Sequence, residues 1–268
     1  MPGRFAGRVA LVAGASRGIG AATACAFAAE GAAVVLAARD ARALETVARR
    51  IADAGGSALP VITDVGDAAS VERLVAQTIT TFGRLDVAFN NATDGPRPAL
   101  LADIDAAEFD VGIRTNIRGT FLGMKYQIPA MLRTGGGAIV NMASRAGVIG
   151  VSTLAAYVAG KAGIIGLTKV AALDYGDRGV RVNVVAPGPI LTEHLERAGP
   201  EAQKAAAVST PMGRVGQPGE VAALVLWLCS HEAGFINGVV VPIDGGQSAG
   251  LKPPRVYRQG EGMRDPEG

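Results

Sequence analysis

The sequence predicts an α/β fold: one doubly wound parallel sheet of about seven strands, flanked by helices, in a single domain. Three observations carry this. Short, almost uninterrupted apolar runs recur along the chain, and such runs suit parallel strands covered on both faces. Segments of helical period separate them in a β–α–β–α rhythm. The chain has 268 residues, and no linker, repeat or low-complexity block breaks the rhythm. A chain of this length buries a full core without disulfide or metal staples.

The first strand reads VALVA within residues 8–13 and runs into a glycine-rich turn, after which a helix spans 17–30. AVVLAA at 33–38 is the second strand, followed by a helix over 41–54. The third strand covers 58–63 and its helix 67–82. The fourth lies at 85–90, with a long apolar helix over 105–132. The fifth, AIVNM at 138–142, precedes a helix at 155–177. The sixth, VRVNVVA at 180–186, leads into an irregular stretch, 187–217, that contains Pro187, Pro189, Pro200 and Pro211. That stretch reads as a mobile flap with one short helix near 192–207 and Pro/Gly hinges at both ends. A helix at 218–230 and a strand at 239–242 complete a domain over residues 1–250. Residues 251–268 read as a Pro/Arg/Gly-rich surface arm.

Composition narrows the function classes. Lys and Arg exceed Asp and Glu by a net charge of +2, with both signs mixed along the chain, so nucleic-acid binding has no electrostatic footprint. Apolar residues at 49% argue against disorder. The N-terminal apolar stretch is too short for a signal segment or a span, so the expectation is a cytoplasmic protein with no membrane partner. Cys25 and Cys229 read as buried, reduced thiols, and no Cys/His cluster suggests a metal. The 37 glycines are about twice the usual ~7% share, so backbone must approach something closely.

One such place is Gly14-Ala15-Ser16-Arg17-Gly18-Ile19-Gly20, between the first strand and its helix. This spacing gives a tight turn, room for a pyrophosphate and close helix–strand contact. Free N–H groups and the helix dipole favour an anion there. The fold is therefore Rossmann-type. Cofactor choice falls at the tip of the second strand, where NAD-binding chains carry a carboxylate for the ribose 2′-hydroxyl. Here Ala38 holds that place, Arg39 follows, and Arg17 reaches the same region from the glycine turn. Two guanidinium groups favour a 2′-phosphate, hence NADP(H). The alternative is NAD(H), held by an inward-turned Asp40.

Tyr157 and Lys161 stand four apart, on one face of a helix. A neighbouring ammonium lowers a phenol's pKa towards useful proton exchange. Ser144, thirteen residues before Tyr157, follows the fifth strand, so all three approach the carboxyl edge of the sheet.

Taken with Asp64-Val65, Asn90-Asn91-Ala92, Asn116, Pro187-Gly188 with Thr192, and Asp244-Gly245-Gly246, these motifs make the sequence resemble the short-chain dehydrogenase/reductase family over residues 7–247. The resemblance implies reversible hydride transfer between a nicotinamide cofactor and a carbonyl or alcohol. It implies Tyr157 as general acid/base, Ser144 as partner of the reacting oxygen, Lys161 on Tyr157 and the nicotinamide ribose, and Asn116 on a water relay behind Lys161. It further implies that Asp64 and Val65 flank the adenine, that Asn90 and Ala92 line the cofactor near its ribose, and that Ile190 and Thr192 meet the nicotinamide. Homodimers or homotetramers are implied through the helices at 105–132 and 155–177. Apolar residues there include Val158, Ile164, Ile165, Leu167 and Leu173, with Trp227, Phe235 and the last strand as a second contact.

The substrate is expected between residues 93–101, 145–154 and 188–212. Val148, Ile149, Val151, Leu154, Leu191 and Leu195 bias those walls towards an apolar or cyclic ketone or alcohol. Arg97 and Arg145 leave an acidic substrate open, and His194 reads as solvent-facing. Two alternatives stay open: a redox-neutral dehydratase, epimerase or cyclase, and a non-catalytic NADP sensor. Two residues depart from the family pattern: Thr93 stands where glycine follows Asn91-Ala92, and Ala13 where threonine opens the glycine turn.

Overall fold

The computed structural model describes residues 3–94 and 97–250, so the predicted arm at 251–268 lies outside the described residues. Seven parallel strands form one sheet in the order β3-β2-β1-β4-β5-β6-β7. They are β1 (Val9–Ala13), β2 (Ala33–Ala38), β3 (Ser57–Ile62), β4 (Val87–Asn90), β5 (Gly137–Met142), β6 (Val180–Pro187) and β7 (Val240–Ile243). All five residues of β1 and all four of β4 are buried, as strands covered on both faces must be.

The helices are α1 (Gly18–Ala29), α2 (Ala41–Asp53), α3 (Ala68–Phe82), α4 (Ala106–Ile113), α5 (Gly119–Leu132), α6 (Ala155–Tyr175), α7 (Glu193–Arg197), α8 (Pro200–Val208) and α9 (Pro218–Cys229). One core cluster joins the sheet to α1, α2 and α9 through Phe27, Leu44, Val47 and Val225. The other joins it to α3, α5 and α6 through Leu74, Ile128, Met131 and Ala171. Asp40 and Asp67 start α2 and α3 by accepting from Ala43 N and Ser70 N, both at 3.0 Å.

Two expectations are corrected. The helix over 105–132 is interrupted: Arg114–Arg118 form one π turn between α4 and α5. Such a turn shifts the phase of the apolar pattern, but α5 buries residues on more than one face, so the shift leaves no mark in the sequence. The flap holds two helices, α7 and α8, because Gly199 adopts φ +89 and Pro200 opens a new first turn. The flap's two hinges are also tied to each other: Gly216 N donates to Pro189 O at 2.9 Å and Leu191 N to Gly216 O at 2.8 Å.

Helix α6 with its last turn is long and apolar enough to cross a membrane, but it packs along β6 and encloses Lys161, which is 1% exposed. It is a core helix. The strand order reverses between β1 and β4, and in open α/β sheets ligands bind at the carboxyl edge beside such a switch point.

Candidate active site

The glycine turn leaves β1 at this edge. Gly14 has φ +73, and a Cβ there would lie 2.8 Å from Ala92 N. A Cβ on Gly20 would lie 2.0 Å from Gly14 O, so only glycine lets α1 pack on the turn. Ala13 has no hydroxyl, and the turn is held instead by Asn91 Nδ2 donating to Gly14 O at 3.2 Å. The first turn of α1 has neither an acidic residue nor a side-chain cap from Arg17. Glu193 of the flap fills part of that place: its Oε1 accepts from Gly18 N at 3.3 Å. A carboxylate there shows that the turn attracts anionic oxygen, and the arrangement fits a pyrophosphate. Ser16 and Ile19 are partly exposed in the same turn, and the Thr192 methyl lies close to Gly18.

At the tips of β2 and β3, Arg39 is exposed and pairs with Asp94 at 3.3 Å. Asp40 spends its carboxylate on capping α2. Burial raises the Asp64 carboxyl, but Arg114 at 2.7 Å and the Gly66 N–H outweigh it and hold Asp64 below the usual carboxylate range. Val65 packs against Gly119 at the start of α5. Asn90 differs from its expected role. Its side chain donates to Gln127 at 3.0 Å and Asn141 at 2.9 Å and accepts from Gln127 at 2.8 Å. These polar groups are satisfied inward, and the Asn90 backbone is held between β1 and β5 in the sheet.

Ser144, Tyr157 and Lys161 come together beyond β5. Ser144 Oγ accepts from Ala146 N at 3.1 Å, which frees its proton for the hydrogen bond to Tyr157. Lys161 Nζ donates to Met142 O at 3.0 Å and stands 5.6 Å from the Tyr157 ring centre. Burial pushes the Lys161 ammonium down to about 7. Tyr157 corrects the sequence expectation: burial raises its pKa, and the Ser144 hydrogen bond opposes this only in part. The physical reason is desolvation of the phenolate, with the ammonium turned to the Met142 carbonyl. Asn116, fully buried in the π turn, donates to Gly112 O at 2.8 Å and Asp94 O at 2.6 Å.

A cleft of about 250 Å³ opens onto this group. Ser144 and Tyr157 form its floor; Val151, Leu154, Pro189 and Ala206 give apolar walls; Arg145, Ser209 and Gln247 add polar ones. Pro187 and Gly188 lead from β6 into it, and Gly188 N donates to Ile243 O at 3.1 Å. Among the expected wall residues, Val148 and Ile149 are instead 47% and 39% exposed, and Leu191 and Leu195 do not line the cleft. His194 is exposed. Ile190 bridges to Gly216 at the flap base.

Sequence reasoning missed several contributors. Gln127, Asn141 and Thr168 form a satisfied buried network with Asn90 beneath the site, including Asn141 Nδ2 to Thr168 Oγ1 at 2.9 Å. An Asn inside an otherwise apolar strand was the available signal. Gln247 and Ser209 meet only because the β7 exit folds against the flap, where Gln247 donates to Ser209 at 2.8 Å. No metal-binding cluster occurs among the described residues.

Comparison with known proteins places these features. A family profile described as "Enoyl-(Acyl carrier protein) reductase" matches residues 14–248. Levodione reductase of Leifsonia aquatica is 40% identical over 256 residues, 92% of this chain and 96% of that protein. Cyclohexanol dehydrogenase of an Acinetobacter species is 38% identical over 252 residues, 91% of this chain and 96% of that protein. The crystal structure of a short-chain type dehydrogenase/reductase from Mycobacterium marinum superposes with a TM-score of 0.87 at 35% identity, covering 92% of this chain and 97% of that one.

Proposed function

The chain belongs to the short-chain dehydrogenase/reductase family, oxidoreductases acting on CH–OH and C=O groups, and from that premise we propose that it uses NADP(H) to interconvert a ketone and a secondary alcohol on a small apolar or cyclic molecule. The observation that carries this reading is the convergence of Ser144 and Tyr157 at the floor of a largely apolar cleft, with Lys161 buried beside the Tyr157 ring. The names of the relatives, a levodione reductase and a cyclohexanol dehydrogenase, support a cyclic carbonyl or alcohol as substrate. Following NADPH absorbance while cyclic ketones are offered tests it; no consumption with any ketone would overturn it.

The nicotinamide, when bound, supplies or accepts the hydride. The protein handles the proton. Burial keeps Tyr157 protonated, which suits donation to the forming alkoxide. Ser144 donates to the same oxygen and stabilises its charge. Lys161, its ammonium pushed down to about 7 by burial, stands 5.6 Å from the ring and, when protonated, favours the phenolate left behind. In this reading Asn116 supports the proton return behind Lys161.

Gly14, Ser16, Gly18, Ile19 and Gly20 would hold the pyrophosphate, with Asp64 and Val65 beside the adenine, Ala92 near the adenosine ribose, and Pro187, Gly188, Ile190 and Thr192 beside the nicotinamide. Arg39 and Arg17 would take the 2′-phosphate. The capping role of Asp40 supports NADP(H), because that carboxylate is already engaged. Phosphate oxygens and the Glu193 carboxylate compete for the same N–H groups. Glu193→Gln is therefore expected to tighten NADPH binding about three- to tenfold, measured by fluorescence titration, since a like charge is removed. Unchanged or weaker binding would contradict that.

Cys229 is buried and its thiol is pushed up to about 12, which makes it inert. Helix α6 supports a homodimer or homotetramer, with Val170 and Leu173 at 56% and 83% exposed. Ile164 lies in the core instead, at 1% exposed. Phe235, fully exposed, would supply a second contact. Light scattering should give a mass of two or four chains at micromolar concentration; a monomer would rule the association out.

A further inference from the structure

We propose that Thr93 is a positioning residue for the proton-transfer site, acting through Asn116 on the stretch of α6 that carries Lys161. The proposal rests on reading Tyr157 and Lys161 as the proton-handling pair.

The hydrogen-bond directions are fixed by elimination. Both N–H groups of the Asn116 amide donate to backbone carbonyls, Gly112 O at 2.8 Å and Asp94 O at 2.6 Å. The amide oxygen must then face Thr93, whose Oγ1 donates to it at 2.9 Å. Asn116 is fully buried, so without this donor its oxygen would be an unmet acceptor. Glycine, the residue of the family pattern here, has no hydroxyl to give. The bond is therefore a feature of this chain's departure from that pattern.

Asn116 lies in the middle of the π turn, and that turn sits in a notch of α6. A Cβ on Gly160 would come within 3.0 Å of Asn116 Cβ, and one on Gly163 within 2.5 Å of Ile117 Cδ1. The two glycines flank Lys161, which reaches back to Met142 O at 3.0 Å. The loop after β4, the π turn and α6 are thus fastened in series. Loosening the amide frees the turn to shift in its notch, and Lys161 moves with the helix segment on which the turn is seated. A small misplacement of a proton-handling group is costly to turnover.

The test compares Thr93→Val, which keeps the shape and removes the donor, with Thr93→Ser, which keeps the donor. Thr93 is exposed, so neither change disturbs the core. With NADPH and a cyclic ketone reduced by the wild type, Thr93→Val should lose about tenfold in kcat, with KM for NADPH within about twofold, and Thr93→Ser should restore kcat. A wild-type kcat in Thr93→Val, or equal losses in both variants, would overturn the proposal. If the wild type itself consumes no NADPH with any ketone, the reading of the site fails instead. Hydrogen exchange on the full chain without ligand then decides. Faster exchange at 112–118 and 158–163 in Thr93→Val, but not in Thr93→Ser, supports the coupling, and wild-type exchange in both overturns it.

Discussion

Tyr157→Phe is expected to lower kcat by about 10³-fold or more while NADPH still binds within about twofold of the wild-type affinity. The substitution removes one oxygen from a side chain whose ring already packs beside Lys161, with Nζ 5.6 Å from the ring centre. What disappears is the phenol at the floor of the cleft, hydrogen-bonded to Ser144. Ser144 remains to polarise a carbonyl, but the phenol that stands beside Lys161 and gives the proton is gone. The loss should therefore fall on kcat, the signature of an interaction made in the transition state. Steady-state kinetics with a separate fluorescence titration of NADPH separates the two effects. Full activity in Tyr157→Phe would remove the phenol from the mechanism.

Arg39→Ala is the second large effect. It should reduce kcat/KM for NADPH about 10²-fold and leave kcat/KM for NADH within about threefold. The side chain is 67% exposed and pairs with Asp94 at 3.3 Å, a surface pair worth little by itself. Its value lies in the charge it presents at the tip of β2, where a phosphate would accept two parallel N–H bonds. Because only NADPH carries that phosphate, the ratio of the two cofactors is more telling than either value. An unchanged ratio would move the 2′-phosphate contact elsewhere, with Arg17, exposed at the start of α1, as the next candidate.

How much was legible in the sequence follows from what each feature depends on. The strands were readable because β1 and β2 are apolar on both faces, a pattern that local sequence states outright. The glycine turn was readable because its requirement is local: Gly20 must lie against Gly14 O, six residues away. The π turn at Arg114–Arg118 was not readable, since α5 is apolar on more than one face and a shift of phase leaves no mark there. The cleft was half readable. Val151 and Leu154 belong to a segment already expected there, whereas Gln247 and Ser209 become neighbours only through the closure of the flap on the β7 exit. The raised pKa of Tyr157 was hidden for a related reason. Four-residue spacing places an ammonium near a phenol, but only the packed fold states how much water the phenol has lost. Thr93 sits between these cases: its departure was visible in the sequence, but its partner Asn116, 23 residues on, was not.

The most direct measurement of the central claim counts product against cofactor. Purified protein is mixed with NADPH and a panel of cyclic ketones, nicotinamide absorbance is followed, and the alcohol formed is quantified. The account predicts one alcohol for each NADPH oxidised. Substrate turnover with no net loss of NADPH would contradict it and point to redox-neutral chemistry on the same residues.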